Sequence, residues 1–451
     1  MRSTQSYTVE GGNGEEGVGR QAGIARDTRG LVPPPFLRRL SLWLALAAAI
    51  SILISIAVSQ ILLALAVTAL LLSGLPLRWP RVALPIGLFL GWTLVSLGFS
   101  PDPGAGMPQV RKMFVFLMLL IVYSAVRTVA EARWLILAWI GVGSVTAGRG
   151  LVQFAADVAG ARAAHVNFYQ FYIADRIRGF MSHWMTFSGQ ELYVLLLVAA
   201  FLLFAPDVKK RLWIGLPCAA VVGLALVLSD TRSIWIAAVV AGFYLLWAWR
   251  TWAALAMPVA LAIGLAVAPA AVQQRAVSIV RPTKQTDSNE HRIVCWRTGW
   301  QMIQAHPVLG VGPEIIAKRE VFDSYVPADI ARPLPEGWYG HLHNIYIHYA
   351  AERGIPAALF LTAALLMALN DFRRALGRLP PGRSERRFIL HGAAACVIGT
   401  MVSGVFELNL GDTEVLTMFL AILCIGYLAA ERPEASGGTV SGAADRVKPL
   451  I

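Results

Sequence analysis

Residues Leu40–Ser73 read LSLWLALAAAISILISIAVSQILLALAVTALLLS, thirty-four positions without a charged side chain. A helix of about 20 apolar residues crosses ~30 Å of hydrocarbon, so this run holds either two short spans or one long tilted one. The polar pair Ser59-Gln60 near its middle favours two, at 40–56 and 58–73. Further runs of the same kind follow at 82–99, 113–127, 133–152, 188–205, 212–229, 234–249, 251–271, 355–370, 388–405 and 415–430. The pattern predicts an all-α polytopic membrane protein with about 12 transmembrane helices. The runs are continuous rather than alternating, which excludes a membrane β-barrel.

Composition agrees. The chain is 57% hydrophobic and 15% charged over 451 residues, with a mean hydropathy of +0.60. Soluble domains carry roughly 45–50% apolar and about 25% charged residues. Cys218, Cys295, Cys396 and Cys424 form no C-x-x-C pair, and three sit inside apolar runs, which argues against a disulfide framework or a zinc site. The net charge of +12 is scattered over short loops, a topological signature, so no nucleic-acid partner is expected. Residues 1–37 are rich in Gly, Ser and Thr at their start and show no early apolar core; they read as a disordered cytoplasmic tail rather than a signal peptide. A second tail is expected at 431–451, leaving 38–430 as the membrane domain.

Arginine and lysine set the orientation. Arg38-Arg39, Arg78 and Arg81, Lys209-Lys210-Arg211, Arg250 and the group from Arg373 to Arg387 alternate correctly with twelve spans, all on the cytoplasmic side with both termini. Arg111-Lys112 breaks the pattern by falling on the other side. That other side receives 150–190, the turn Asp230-Thr231-Arg232-Ser233, a large loop at 272–342 and the segment Glu407–Glu414; in a Gram-negative host these would face the periplasm.

Ionisable groups near a bilayer are costly and usually have a task, and here they gather on that one side. The first segment carries Arg176, Arg178, Gly179 and His183 after the aromatic run Phe168-Tyr169-Gln170-Phe171-Tyr172, whose tyrosines suit an interfacial belt. Arg232 beside Asp230 fits either an ion pair with it or a role on phosphate. The large loop holds Arg275, Arg281, Lys284, Arg292 and Arg297 against Asp287 and Glu290. Arg292 and Trp296 share a face if that stretch is helical. Guanidinium groups grip phosphate bidentately and stay charged, which suits a diphosphate clamp; a solvated basic surface is the alternative. His341, His343 and His348 close the loop at spacings that miss those of a helical metal site, so no metal is expected. His343 could equally cap the helix that follows. Gly354-Ile355-Pro356 should break or bend that helix.

Together these pieces resemble the O-antigen ligase and polymerase superfamily over about residues 170–410. The matching motifs are Arg178-Gly179 with His183, Ser229-Asp230-Thr231-Arg232-Ser233, Arg292 with Trp296, His306-Pro307-Val308-Leu309-Gly310-Val311-Gly312, and His343-Asn344 followed by Gly354. Ala357 stands where the ligase pattern has a different small residue or tyrosine. The resemblance implies a GT-C-like architecture in the bacterial inner membrane with its site facing the periplasm. It further implies metal-independent, cofactor-free transfer of a polysaccharide from undecaprenyl pyrophosphate to a sugar hydroxyl of lipid A–core. On that reading His343 is the catalytic base, and Arg178, Arg232, Arg292, His183 and Asn344 bind the donor diphosphate and substrate. Arginines near His343 would favour its neutral, proton-accepting form. An O-antigen polymerase and a protein O-oligosaccharyltransferase remain as alternatives within the superfamily, and a lipid-linked glycan transporter outside it. Transporters place ionisable groups at the bilayer midplane, whereas most of the apolar cores here hold none.

Overall fold

The computed structural model describes residues 35–168, 171–172, 175–280 and 289–431. Most of both expected tails, together with Tyr169, Gln170, Arg281, Lys284 and Asp287, lies outside the described residues. Among the described residues every regular element is a helix. α1 (Pro35–Ser51), α2 (Ile56–Leu72), α3 (Ala83–Gly98), α4 (Met107–Ala125, through a 3-10 turn at Met113–Phe116) and α5 (Val129–Ala163) come first. α6 (Trp184–Phe204), α7 (Val208–Leu228), α8 (Arg232–Trp249) and α9 (Thr251–Val267) follow. The polar stretch is partly helical, with α10 (Ala270–Val280), α11 (Asn289–Ala305) and the short α12 (Arg319–Ser324). It leads through α13 (Ile345–Arg353) into α14 (Ile355–Arg378), α15 (Glu385–Ser403) and α16 (Thr413–Ala430).

Each of the twelve apolar runs has a helix at its place. α4, α5, α6, α7 over Arg211–Leu228, α8, α14 and α16 are long and apolar enough to cross a membrane, and α2, α3 and α9 are shorter apolar helices. The chain is a polytopic helical membrane protein. Two boundaries differ from the sequence reading. The break in Leu40–Ser73 falls at 52–55, where the Ser55 hydroxyl accepts from the Val58 N–H and caps α2. Ser59, expected at the turn, is buried inside α2 and donates to the Ala48 carbonyl of α1 at 2.7 Å; a hydroxyl in an apolar pair of helices serves better as an interhelical bond than as a turn. α5 begins at a capping box between Thr128 and Glu131 and runs past the expected end at 152. At 1.5 Å per residue its 35 residues span about 50 Å, so its last turns outreach the hydrocarbon.

α15 sits at the centre, packed against α6, α8, α14 and α16. Its Gly392, Ala393, Ala394, Ala395 and Gly399 are buried and let neighbouring backbones approach, as small residues do between membrane helices. Tyr193 of α6 and Thr400 of α15 share a buried hydrogen bond of 2.7 Å. The ion pairs sort by end. Arg78–Glu431, Arg81–Asp371 and Arg133–Glu385 lie at one end of the bundle; Lys318–Asp102, Arg275–Asp230 and Arg292–Glu407 lie at the other.

The second end is locked by an interlock between two motif pieces distant in sequence. Val311 N–H and Gly312 N–H donate to the carbonyls of Ala351 and Glu352, and Ile355 N–H donates to Pro307. The segment Pro307–Gly312 thus lies along the end of α13, where Gly354 (φ +86°) breaks the helix and α14 restarts at once. A Cβ at Gly354 would stand 1.8 Å from the Val308 carbonyl oxygen, and one at Gly310 (φ +70°) 2.3 Å from the Glu352 carbonyl carbon. Backbone meets backbone, so neither side can yield. We predict that Gly354→Ala lowers stability by at least ~2 kcal/mol, read as a reduced melting temperature of the detergent-solubilised protein. Gly377→Ala, in α14 with nothing within 4 Å of the new Cβ, should cause no loss.

Candidate functional site

His343 owes its position to the residue after it. Asn344 is the N-cap of α13: its Oδ1 accepts from the N–H groups of Tyr346 at 2.9 Å and Ile347 at 3.0 Å, and its Nδ2 donates to Val405 at 2.9 Å. The capping role considered for His343 therefore belongs to Asn344, whose side chain is spent on structure. His343 itself holds a left-handed backbone (φ +49°), an unusual conformation for a non-glycine residue that tends to mark functional sites. Its carbonyl accepts from Trp296 Nε1 at 3.3 Å, so the shared α11 face of Arg292 and Trp296 holds the histidine loop from one side.

The imidazole sits between two oxygens. Nδ1 lies 3.4 Å from Glu407 Oε2 and Nε2 lies 3.3 Å from the Trp338 carbonyl. The other oxygen of Glu407 pairs with Arg292. Burial pushes the Glu407 carboxyl upward, but Arg292 and His343 together outweigh it and hold it below the usual carboxylate range. The charge touching His343 is thus a carboxylate, with the arginine behind it; the sequence reading expected arginine alone. His341 and His291 complete the cluster, with ring centroids 4.0 Å and 4.9 Å from that of His343. Burial, reinforced by the neighbouring His343, drives His341 well below the normal histidine range and His291 down to about 4, so both rings stay neutral.

These groups form one wall of a cavity of about 570 Å³ at the second end of the bundle, within the range of substrate pockets. Arg176, Arg232, Arg275 and Arg292 line it together with His183, Glu407 and Asp412. Arg232, buried at the start of α8, donates to Ser278 Oγ at 2.9 Å, the Ser278 carbonyl at 3.0 Å and Asn289 Oδ1 at 2.9 Å. Asp230, in a left-handed turn, offers its carbonyl to Arg176 at 3.3 Å and Arg275 at 3.2 Å, and its carboxylate pairs with Arg275 at 3.4 Å. The turn between α7 and α8 thus organises three guanidinium groups. Asp412 is buried, which pushes its carboxyl up to about 6 despite the Thr186 hydroxyl that donates to it at 3.0 Å.

Of the residues singled out from sequence, the fold brings Arg232, Arg292, His183 and His343 to this cavity. His183 caps α6 by accepting from the Met185 N–H at 3.2 Å, and burial lowers its pKa. Arg178 is not among the lining residues: it is exposed and pairs with Asp175 at 3.1 Å, while Arg176, two positions earlier, faces the cavity across Trp184. Residues two apart would share a side of an extended segment, so the separation of Arg176 from Arg178 reflects the irregular, turning path of 175–180, which has no register readable from sequence. Asn344 stands behind the site. Arg176, Arg275, Glu407, Trp338 and Asp412 join it without having been assigned roles; the signal available for Glu407 was its place in an outer segment after an apolar run.

One group could supply metal ligands. His291, Cys295 and His343 each offer an atom within 4.8 Å of the others, and His291 and Cys295 are four apart on α11, a helical spacing the histidine count at 341–348 overlooked. Burial pushes the Cys295 thiol up to about 12, so an ion there would first have to displace a tightly held proton.

A family model described as O-antigen ligase matches residues 217–362. The match contains Arg232, Arg275, Arg292, His343 and the Gly354 break, and leaves His183 and Glu407 outside it. No curated protein matches the chain as a relative. The matched part of this multi-pass membrane chain, which carries Arg232, Arg275, Arg292 and His343 of the cavity, is thus similar to the O-antigen ligase family.

Proposed function

We propose that the protein is an O-antigen ligase. It would transfer a polysaccharide from undecaprenyl pyrophosphate to a sugar hydroxyl of lipid A–core, at the periplasmic face of the bacterial inner membrane, with twelve spans and both termini in the cytoplasm. The observation that carries this reading is the juxtaposition of four arginines with a histidine oriented by a buried carboxylate, in one cavity at one end of the bundle.

The chemistry follows from that geometry. With the Nδ1–H of His343 donating to Glu407, Nε2 carries the lone pair. In this tautomer the Trp338 carbonyl 3.3 Å away makes no hydrogen bond to Nε2, and an entering hydroxyl supplies the missing donor. The hydroxyl oxygen attacks the anomeric carbon as its proton passes to Nε2, and the bond from that carbon to the diphosphate oxygen breaks on the opposite face. The electron pair leaves with undecaprenyl pyrophosphate, and the configuration inverts. Pyrophosphate is a good leaving group once its charge is balanced. Arg232 and Arg292, with Arg176 and Arg275 beside them, supply preorganised positive charge, so the step calls for no cofactor. His183 lines the cavity and Asn344 keeps His343 in position, while Arg178, exposed and paired with Asp175 outside the cavity, is given no part in holding the diphosphate.

In transfer from undecaprenyl-pyrophosphate glycan to lipid A–core with EDTA present, followed by the gel shift of the lipopolysaccharide, His343→Ala should lose about 10²–10⁴-fold in rate while inserting normally. Near-normal ligation by that variant would sink the catalytic assignment. Chain growth on a second lipid-linked repeat, with no transfer to lipid A–core, would mark a polymerase.

Glu407→Gln keeps the shape and loses the charge. We expect about a hundredfold slower transfer and a drop in melting temperature, because the Arg292 guanidinium is left near a neutral amide in a largely buried site. Glu407 has a depressed pKa in the folded protein, so its contribution to stability is present above the unfolded value and lost as pH falls through the folded one. The wild-type pair should therefore persist from pH 8 down to about 5. A melting temperature that declines between pH 8 and 6 in wild type but not in Glu407→Gln would contradict this.

A further inference from the structure

A second cavity of about 210 Å³ lies on the far side of a partition made by Trp338, His341, Leu408 and Asp412, residues that line both chambers. Its polar wall carries Gln109 and Lys112 of α4, Glu314, which Gln109 hydrogen-bonds, and His348 and Arg353 of α13. Its floor is different. Phe89, Phe116, Tyr349, Leu410 and Leu416 continue into a narrow slot between α3, α4, α14 and α16, whose lining is otherwise aliphatic and phenyl groups such as Ile86, Leu365 and Leu420. A charged chamber above an apolar slot is the form of a site for an anionic amphiphile.

The cations differ in availability. Arg353 is committed: it pairs with Glu352 at 3.0 Å and donates to Thr93 at 3.2 Å and Gln109 at 3.0 Å. Lys112 has one long bond, to the Gly411 carbonyl at 3.4 Å, and no ion-paired carboxylate among the described residues; Asp412 senses it only at a distance. Lys112 also belongs to the one basic pair that breaks the topological alternation, and a half-buried cation on the wrong side of that rule needs another reason to be there. The same wall holds His348, whose Nε2 faces Glu352 Oε2 at 3.5 Å and whose buried Nδ1 has no hydrogen-bond partner; with the ring proton on Nε2, Nδ1 is an acceptor that a ligand hydroxyl would satisfy.

We propose that this chamber binds the phosphate of the second, acceptor substrate, a phosphorylated glycolipid, with Lys112 on the phosphate and the slot taking the start of an acyl chain. Resting on the transfer reading above, this places donor and acceptor on opposite sides of the Trp338–His341 partition. His341 accepts from the His343 N–H at 3.1 Å, so the partition is attached to the base it would serve. A bilayer phospholipid offers the same phosphate chemistry and is the competing source.

The test is binding, independent of turnover. Wild type, Lys112→Gln and Lys112→Arg in nanodiscs would be titrated with bisphosphorylated lipid A, the same lipid after dephosphorylation, phosphatidylglycerol, and undecaprenyl pyrophosphate. The expected result is about tenfold weaker binding of bisphosphorylated lipid A to Lys112→Gln, recovery in Lys112→Arg, weak binding of the dephosphorylated form to all three, and unchanged binding of undecaprenyl pyrophosphate. Unchanged lipid A affinity in Lys112→Gln overturns the site. An equal loss for undecaprenyl pyrophosphate overturns it too, by assigning Lys112 to the donor. Phosphatidylglycerol binding as tightly as lipid A, with the same dependence on Lys112, overturns the acceptor assignment in favour of a bilayer lipid. If Lys112-dependent lipid A binding holds while no transfer to lipid A–core occurs, the ligase reading fails and this site stands.

Discussion

A single buried carboxylate ties the outer polar segment to the membrane bundle. Glu407 follows α15, the most central helix, and reaches with one oxygen to Arg292 on α11 and with the other to His343 at the mouth of α13. A carboxylate removed from water is costly unless its charge is matched and its lone pairs are used. Here a guanidinium and an imidazole meet both needs, and each is itself held by other contacts. The cost of burying the charge is what makes the arrangement specific, because few other placements of α11 and the histidine loop would leave Glu407 satisfied.

The rest of that end is built around close backbone approaches rather than side-chain bulk. Pro307–Gly312 runs along Ala351–Ile355 with three backbone hydrogen bonds. Two of these satisfy the Ala351 and Glu352 carbonyls at the end of α13, which the chain's turn at Gly354 would otherwise leave unpaired, and the third satisfies the N–H of Ile355 at the start of α14. The interruption between α13 and α14 allows a short polar helix to lie on top of a membrane helix without carrying its polar residues into hydrocarbon. Non-helical backbone near the membrane is tolerated where protein or a water-filled cavity covers it, and here Pro307–Gly312 and α3 cover it. Trp92 and Ser96 of α3 add side-chain bonds to the same carbonyl-rich junction.

Charge is divided by function between the two ends. At one end, arginines pair with acids on neighbouring loops and fasten the helices together. At the other, the turn at Asp230 gathers Arg176 and Arg275 around one residue, and Arg232 is held by serine and asparagine. Four arginines line one cavity with the acids Glu407, Asp412 and Glu414, and the neutral histidines around His343 add no charge to it.

The helical, polytopic character of the chain, the helical state of the polar stretch around Arg292 and the break at Gly354 were legible in the sequence. They follow from local rules: span length, and glycine and proline at a boundary. The roles of individual side chains were less so. Arg232, Arg292, His183 and His343, singled out in short motifs, all line the one cavity. Arg178 and Arg176 could not be told apart, since which of them faces the cavity depends on the path of an irregular segment. Asn344 read as a ligand residue and is a helix cap. Glu407, 64 residues from His343, is marked in the sequence only by its place in an outer segment; the packing of α15 against the polar stretch brings its carboxylate to the imidazole. The sequence by itself determined that this chain spans a membrane as helices, because burying apolar residues and satisfying backbone polar groups are local demands. The tertiary structure alone decided which charges meet, because a salt bridge depends on distances that no spacing along the chain encodes.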